Sequence, residues 1–388
     1  MEGMVRAWDE VQIPEWNYFR QLLETRFGSE VKKAPRIILF GTDFPAELIL
    51  AVTGQVPFWV TGGSRDLQEY SDDLVPRDTD PATRAALGEL IANEDWKGTA
   101  LVVVPCSSDA QRKTADLLQN LGWKVVTVWI PAKKDALSHK VFLGELEHAV
   151  DVICRHVRKR YSPFSLKKAV KCFQELRQSY EEFVDTIQQK EAAVSGIVPV
   201  AVRNSFFMME DPCEWQRNLQ ELTRAIFMMS AEKSTRPRVL VVGSPIVFPN
   251  YKMLQLLYES ELEICTCIDC NTGFFDSKTD NKKKGLEGLA YSYLEQDSSS
   301  AFVQNDFLLE RLKKEVLRYQ PDGIIWHVLK GQIEYDFELN YCEEYLEQAD
   351  LPMIRLETDY QYQDIEQLRI RMEAFAELLA QKRKESTL

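Results

Sequence analysis

The sequence predicts an α/β protein in which two parallel sheets, covered by helices and joined by a helical connector, hold a ligand cleft between them. Three observations carry that prediction. Short apolar runs without polar alternation, such as Gly323 to Leu329, recur between stretches of helical pattern, as strands buried on both faces do. The pattern occurs twice in the same order: RIILFGTDFP at Arg36 to Pro45 is echoed by RVLVVGSPIVFP at Arg238 to Pro249, and LVVVPCSSD at Leu101 to Asp109 by GIIWHVLKGQ at Gly323 to Gln332. A third echo pairs KVVTVWIPAKKD at Lys124 to Asp135 with PMIRLETDYQ at Pro352 to Gln361, so a duplicated α/β unit is the economical reading. Between the repeats, Lys133 to about Gln189 changes to long charged helices.

Taken in order, Trp16 to Phe27 has the pattern of an amphipathic lead-in helix and Arg36 to Phe40 that of the first buried strand. Gly41, Thr42 and Asp43 turn the chain into a helix over Pro45 to Ala51. Strands follow at Val56 to Val60, Ala100 to Val104 and Val125 to Ile130, with helices over Ala82 to Ala92 and Ala110 to Leu121. The connector contains helices over Leu137 to Arg160 and Ser165 to Gln189, able to pack on either unit. The second sheet starts at Arg238 and takes in strands at Leu262 to Ile268, Gly323 to Leu329 and Met353 to Leu356, with a helix over Asn340 to Gln348. The expected organisation is a lead-in over 1–34, an α/β domain over 35–135, a connector over 136–236 and a second α/β domain over 237–388. In open parallel sheets ligands bind beyond the carboxyl ends of the strands. That places Lys330, Gln332 and Glu357 to Asp359 at the expected cleft.

The chain of 388 residues is long enough for two or three cores. A net charge of -13 and a pI near 5.1 argue against nucleic-acid and anionic-membrane partners, which require a dense basic face. The run Lys282 to Lys284 reads as solvated loop charge. No apolar stretch approaches the roughly 18 residues of a membrane span, and MEGMVRAWDEVQ lacks a signal-peptide core. A cytoplasmic location is expected, with the eight cysteines as thiols or metal ligands.

Several patterns carry candidate chemistry, each beside a plainer structural role. Gly41-Thr42 and Gly243-Ser244-Pro245 follow strands and are expected to open helices, so their amides suit an anion such as phosphate, or simply a tight strand-to-helix turn. Cys265, Cys267 and Cys270 form a CxCxxC at a strand end, suited to iron–sulfur or zinc, or to small core cysteines. Asp78 to Asp80 and Ser107 to Asp109 precede helices and read as caps. His327 stands alone in an apolar strand, and no histidine pairs with a nucleophile, so no hydrolase constellation emerges.

Several of these segments carry a family likeness. PAELILAVTGQVPFWVTG at Pro45 to Gly62, the VPRDTDP loop, VVVPCSSDAQRK at Val102 to Lys113, DGIIWHVLKGQIEYDFE, LPMIRLETDY and IEQLRIRMEAFAELL occur in an order that resembles the 2-hydroxyacyl-CoA dehydratase and benzoyl-CoA reductase family, of the 2-hydroxyglutaryl-CoA dehydratase D-component type. The likeness runs from about Arg36 to Leu379. It implies two flavodoxin-like domains in a homodimer or heterodimer, with a [4Fe-4S] cluster in the interdomain cleft and an acyl-CoA substrate. It also implies an ATP-dependent activator protein that supplies an electron at low potential, which the cluster passes to the thioester. The family's three cluster cysteines fall at Asp80, Ser108 and Gln332, so oxygen-bearing side chains stand where soft thiolates belong. Cys106 lies two residues from one of these positions and leaves the other two without a thiol.

Three functional readings follow from the likeness and this departure. The chain is a dehydratase-type or reductase-type subunit that shapes the acyl-CoA cleft or docks the activator beside a cluster-bearing partner. Alternatively it holds metal by a relocated set at Cys265, Cys267 and Cys270, or it is a scaffold or binding homologue without redox function. A flavin or CoA at the loops after Gly41 and Gly243 is compatible with each.

Overall fold

The computed structural model describes residues 11–27, 34–190, 194–230, 235–273, 275, 283–296, 301–303 and 306–387. Its strands are β1 (Ile37–Phe40), β2 (Phe58–Val60), β3 (Leu101–Cys106), β4 (Lys124–Trp129), β5 (Arg238–Gly243), β6 (Glu263–Ile268), β7 (Gly323–Leu329) and β8 (Met353–Thr358). They form two four-stranded sheets, in orders β2-β1-β3-β4 and β6-β5-β7-β8. Every pairing is parallel, with Leu39 opposite Trp59, Val103 opposite Val126, and Trp326 opposite Arg355. Both halves therefore have the same strand order, and their matching strands are the echoed segments. The architecture is α/β with two flavodoxin-like halves, as the sequence predicts.

The central strands β1, β3 and β7 are buried at every position. Alternate side chains serve different layers, as a period of two requires. Ile37 and Leu39 join a large core that also contains Val239, Val241, Ile325 and Leu356 of the second sheet. Ile38 and Phe40 pack on the other face with Val102, Val104, Leu87 and Trp96. The second sheet repeats this, with Leu240, Val242, Trp326 and Val328 turned towards Leu312 and Leu346.

The connector is part of the core between the sheets. Helices Ala136–Val157 and Pro163–Gln189 both pack on Ala46–Thr53 of the first half and on Gly285–Gln296 of the second. Two further helices, Ile197–Phe206 and Pro212–Met228, complete this layer. Nearly all of IVPVAVRNSF is buried, as for a helix surrounded by protein on every side. Phe206 meets Trp215 edge-on at 5.3 Å between ring centroids and also touches Trp59 and Phe173. Among the described residues, no helix is long and apolar enough to cross a membrane.

Two elements differ from expectation near the facing strand ends. The helix expected from Asn340 starts at Glu334, immediately beyond Gln332 and Ile333. Gly243-Ser244-Pro245 does not open a helix: a loop runs from Ser244 to Tyr251 before helix Lys252–Glu259. Ser244 is drawn back onto β7 by its amide and hydroxyl, which keeps the chain from coiling at once.

Candidate functional site

The carboxyl ends of β1, β3, β5 and β7 carry the candidate residues other than Asp80, which stands after β2 at the start of helix Pro81–Ala92, and the middle gap of each strand order is the switch point where crevices open. At the β1 end, Gly41 has φ +78°, and its amide donates to Val60 O at 2.9 Å. At the β5 end, Gly243 has φ +119°, and a Cβ there would lie 2.2 Å from His327 O, so only glycine fits. The Ser244 amide donates to His327 O at 2.8 Å. Thus the Gly41 and Ser244 amides, which a phosphate of flavin or CoA would use, already bond to strand carbonyls.

Ser108 caps helix Asp109–Asn120 in a capping box with Gln111, whose Oε1 accepts from the Ser107 and Ser108 amides at 2.9 and 3.1 Å. The Ser107 hydroxyl lies 2.8 Å from Gln111 Oε1 and 3.2 Å from Asp43 Oδ2. Thr42 Oγ1 donates across the halves to Asn271 Oδ1 at 2.8 Å.

A second bond joins the halves at two of the positions singled out in the sequence. Gln332 Nε2 donates to Asp80 Oδ1 at 2.8 Å, while Gln332 Oε1 accepts from Ser244 Oγ at 2.6 Å. Ser244 Oγ in turn accepts from Leu329 N at 2.8 Å. Asp80 is also the N-cap of helix Pro81–Ala92, accepting from Ala82 N, Thr83 N and Thr83 Oγ1 at 3.2, 3.0 and 2.7 Å. Burial pushes the Asp80 carboxyl above the usual range, and the bonds from Thr83, Ala82 and Gln332 act against that shift. Asp43 is displaced upward for the same reason, opposed by Ser107 and Thr42. Gly331 at φ +88° lets the second half approach the first, since a Cβ there would stand 3.0 Å from Asp78 O. Ala85, Leu329 and Tyr360, each 1% exposed, back the seam with apolar surface.

The seam therefore contains Asp80 and Gln332 in direct contact, with Ser244 in the same bonded set, while Thr42 crosses the halves through a second set with Asn271 and Asp43. Ser108 serves its own helix. Lys330 points elsewhere: its Nζ pairs with Asp359 Oδ2 at 2.8 Å, and that bond raises its pKa. Asp43, Ser107, Gln111 and Asn271 belong to the site without having been singled out as ligand residues. Asn271 follows Cys270 in a segment whose cysteines draw the attention.

The residues present do not fit a [4Fe-4S] cluster at Asp80, Ser108 and Gln332. Iron–sulfur clusters take thiolates. Here a carboxylate, a hydroxyl and a carboxamide stand instead, and their donors and acceptors are engaged with protein. Of the CxCxxC cysteines, Cys265 and Cys267 lie on β6 and Cys270 opens the short helix Cys270–Gly273. Burial pushes the thiols of Cys265 and Cys267 up to about 12. Among the described residues, no group of three or more His, Cys, Asp or Glu side chains is placed to hold a metal ion. Cys106 is buried, with its thiol 3.5 Å from Val104 O.

His327 ties the two loops of the second half together. Its Nδ1 lies 2.8 Å from Ser244 O and must donate, because a carbonyl only accepts. Burial depresses its pKa to about 4, so it stays neutral in the fold. A depressed histidine contributes stability that is present above the unfolded value near 6.5 and is lost as pH falls towards 4. His327→Asn keeps a donor near Nδ1 and removes the titration. Its urea-unfolding free energy is expected to lose about 3 kcal/mol less than wild type between pH 6.5 and 4. Equal slopes in the two proteins would show that His327 does not titrate differently on folding.

The family model described as 2-hydroxyglutaryl-CoA dehydratase, D-component, matches residues 28–379. The Escherichia coli (strain K12) protein named "Putative dehydratase subunit YjiM" is 23% identical over 355 residues, covering 89% of this chain and 91% of its own. The "(R)-phenyllactyl-CoA dehydratase beta subunit" of Clostridium sporogenes is 20% identical over 342 residues, covering 86% of this chain and 89% of its own. The family match takes in both sheets and every residue of the seam, and so the chain belongs to the 2-hydroxyglutaryl-CoA dehydratase D-component family.

Proposed function

We propose that this chain is a subunit of a 2-hydroxyacyl-CoA dehydratase-type system that carries no cluster at Asp80, Ser108 and Gln332. It works beside a cysteine-bearing companion subunit, with its facing strand ends shaping part of the acyl-CoA cavity. The observation that carries this reading is the Asp80–Gln332 hydrogen bond. Two side chains that should each present a soft ligand instead hold each other, and the halves close on them. Loss of a single ligand by drift would leave the other positions free; here both are rebuilt as parts of one bonded seam. The family membership and the subunit descriptions of both relatives support a role within a larger enzyme.

Within that role the chain's own residues bind and exclude water. Asp80 and Asp43 stand half-buried at the facing strand ends, and the apolar backing at Leu329 and Tyr360 limits water entry, as chemistry at a thioester requires. An ATP-dependent activator remains part of the proposed system, acting on the companion.

The test is anaerobic reconstitution of the purified chain with ferrous iron and sulfide, alone and with a cysteine-bearing member of the same family. This chain alone is expected to retain less than about one iron, against the four of a full cluster. The pair is expected to bind acyl-CoA more tightly than the companion alone. A full cluster on this chain by itself would overturn the reading. A pair no better at acyl-CoA binding than the companion would leave a scaffold role.

A further inference from the structure

We infer that the outer face of helix Glu334–Gln348, led by Ile333, Phe337 and Tyr341, is where the companion subunit docks, and that the companion meets it with an apolar pocket rimmed by Lys and Arg. This rests on the reading above that a companion exists. The helix EYDFELNYCEEYLEQ buries Tyr335, Leu339, Cys342 and Leu346 against β7 and its neighbours. Its opposite side should then be polar. Instead Ile333, Phe337 and Tyr341 are 65%, 64% and 70% exposed. Their spacing of four residues sets them on one stripe, about 12 Å long at the helical rise. A single exposed apolar residue is ordinary, whereas three large ones in line, two of them aromatic, have the make-up of an interface centre.

The surroundings of the stripe narrow the occupant. The helix carries Glu334, Asp336, Glu338, Glu343, Glu344 and Glu347 and neither Lys nor Arg. Of these, Glu343, Glu344 and Glu347 are exposed. Asp336 is matched by Arg355 at 2.6 and 2.8 Å, and Lys330 nearby is taken by Asp359. A second copy of this chain meeting face to face would set this acidic rim against itself, and an anionic membrane would be repelled in the same way. A basic-rimmed protein surface satisfies both the apolar stripe and its charge. The place also fits, since Ile333 directly follows Gln332, so a protein seated on the stripe covers the lip of the seam.

The experiment measures the affinity of the full chain for a cysteine-bearing member of the same family. Phe337→Asp and Tyr341→Asp are expected to weaken binding about 30-fold or more each, the range of central interface residues. Glu343→Lys with Glu347→Lys is expected to slow association about 10-fold and to flatten its salt dependence. Leu378→Asp, an equally drastic change at a half-exposed position on another helix, is expected to leave affinity unchanged. All these sites are exposed, and unchanged thermal unfolding of the isolated variants establishes that they fold. Unaltered affinity in Phe337→Asp and Tyr341→Asp, or an equal loss in Leu378→Asp, would overturn the docking face while the companion reading stands. Self-association of the chain alone that Phe337→Asp abolishes would also overturn it, in favour of a second copy. Failure of the wild-type chain to bind the companion at all would sink the companion reading itself.

Discussion

Replacing Arg177 with methionine is expected to destabilise the fold by about 3–5 kcal/mol, because it leaves a carboxylate buried without its cation. Arg177 lies on helix Pro163–Gln189, and its Nη2 donates to Glu47 Oε1 at 2.7 Å. Tyr293, from helix Gly285–Gln296, donates to the other oxygen, Glu47 Oε2, at 2.6 Å. The side chains of Arg177 and Glu47 are 6% and 0% exposed, so water cannot take over when one partner goes. Burial works to lower the arginine pKa, but Glu47 and Tyr293 together outweigh it and the group is held above its ordinary value. The magnitude separates this triad from surface pairs such as Arg369–Glu259, which stand in solvent and are worth about 0–1 kcal/mol. Urea unfolding of Arg177→Met, Glu47→Leu and the double variant checks the argument. Each single change should be costly, and the double should be at least about 2 kcal/mol less destabilised than the sum of the singles. A loss under about 1 kcal/mol in Arg177→Met would mean that the pair is solvated.

That triad also shows which parts of the protein the sequence could reveal. The strands were legible because buried parallel strands are short, apolar and bounded by turns, and Ile37 to Phe40, Leu101 to Cys106 and Gly323 to Leu329 meet all three conditions. The equal strand order of the two halves was legible through the echoed segments. The role of the connector was not. Helix Pro163–Gln189 reads as charged, and the charges that matter are the few that turn inwards, Arg177 among them. Helix Ile197–Phe206 carries Pro199 and a run of valines, which local propensity assigns away from a helix until surrounding aromatics enclose it.

The site was legible by position and not by partnership. Asp80 and Gln332 lie 252 residues apart, and nothing local to either forecasts that one carboxamide would bridge Asp80 and Ser244. Capping chemistry at Asp80 and Ser108 is a local matter and was visible in the residues before each helix. The amides of Gly41 and Ser244 are taken by parallel neighbours, a pairing across strands that the residues around each glycine do not display. Strand-end amides serve an anion or a neighbouring strand, and only the register of β2 and β7 decides between them.

The approach of the halves sets up the second large effect, at Gly63. A Cβ built on Gly63 would lie 2.0 Å from Phe248 O and 2.9 Å from Val247 O, both on the loop that follows β5. These obstacles are backbone atoms of the opposite half, so no rotamer change relieves them. Gly63→Ala is therefore expected to cost about 3 kcal/mol, the upper range for overpacking. It should also force the halves apart, weakening the Asp80–Gln332 and Thr42–Asn271 bonds that join them. Gly144→Ala is the internal control: it lies inside helix Ala136–Val157 with nothing within 4 Å of the added atom. There the same methyl should stabilise by about 0.5–1 kcal/mol through helix propensity. Urea midpoints test the stability difference, and amide exchange at Ala82, Thr83 and Leu329 tests the seam, since each of those amides bonds to Asp80 or Ser244. Faster exchange at all three in Gly63→Ala, with none in Gly144→Ala, would show that the closure of the two halves and the polar seam are one structural event. Unchanged exchange alongside a lost 3 kcal/mol would separate them, and the seam would then hold without help from the backbone contact at Gly63.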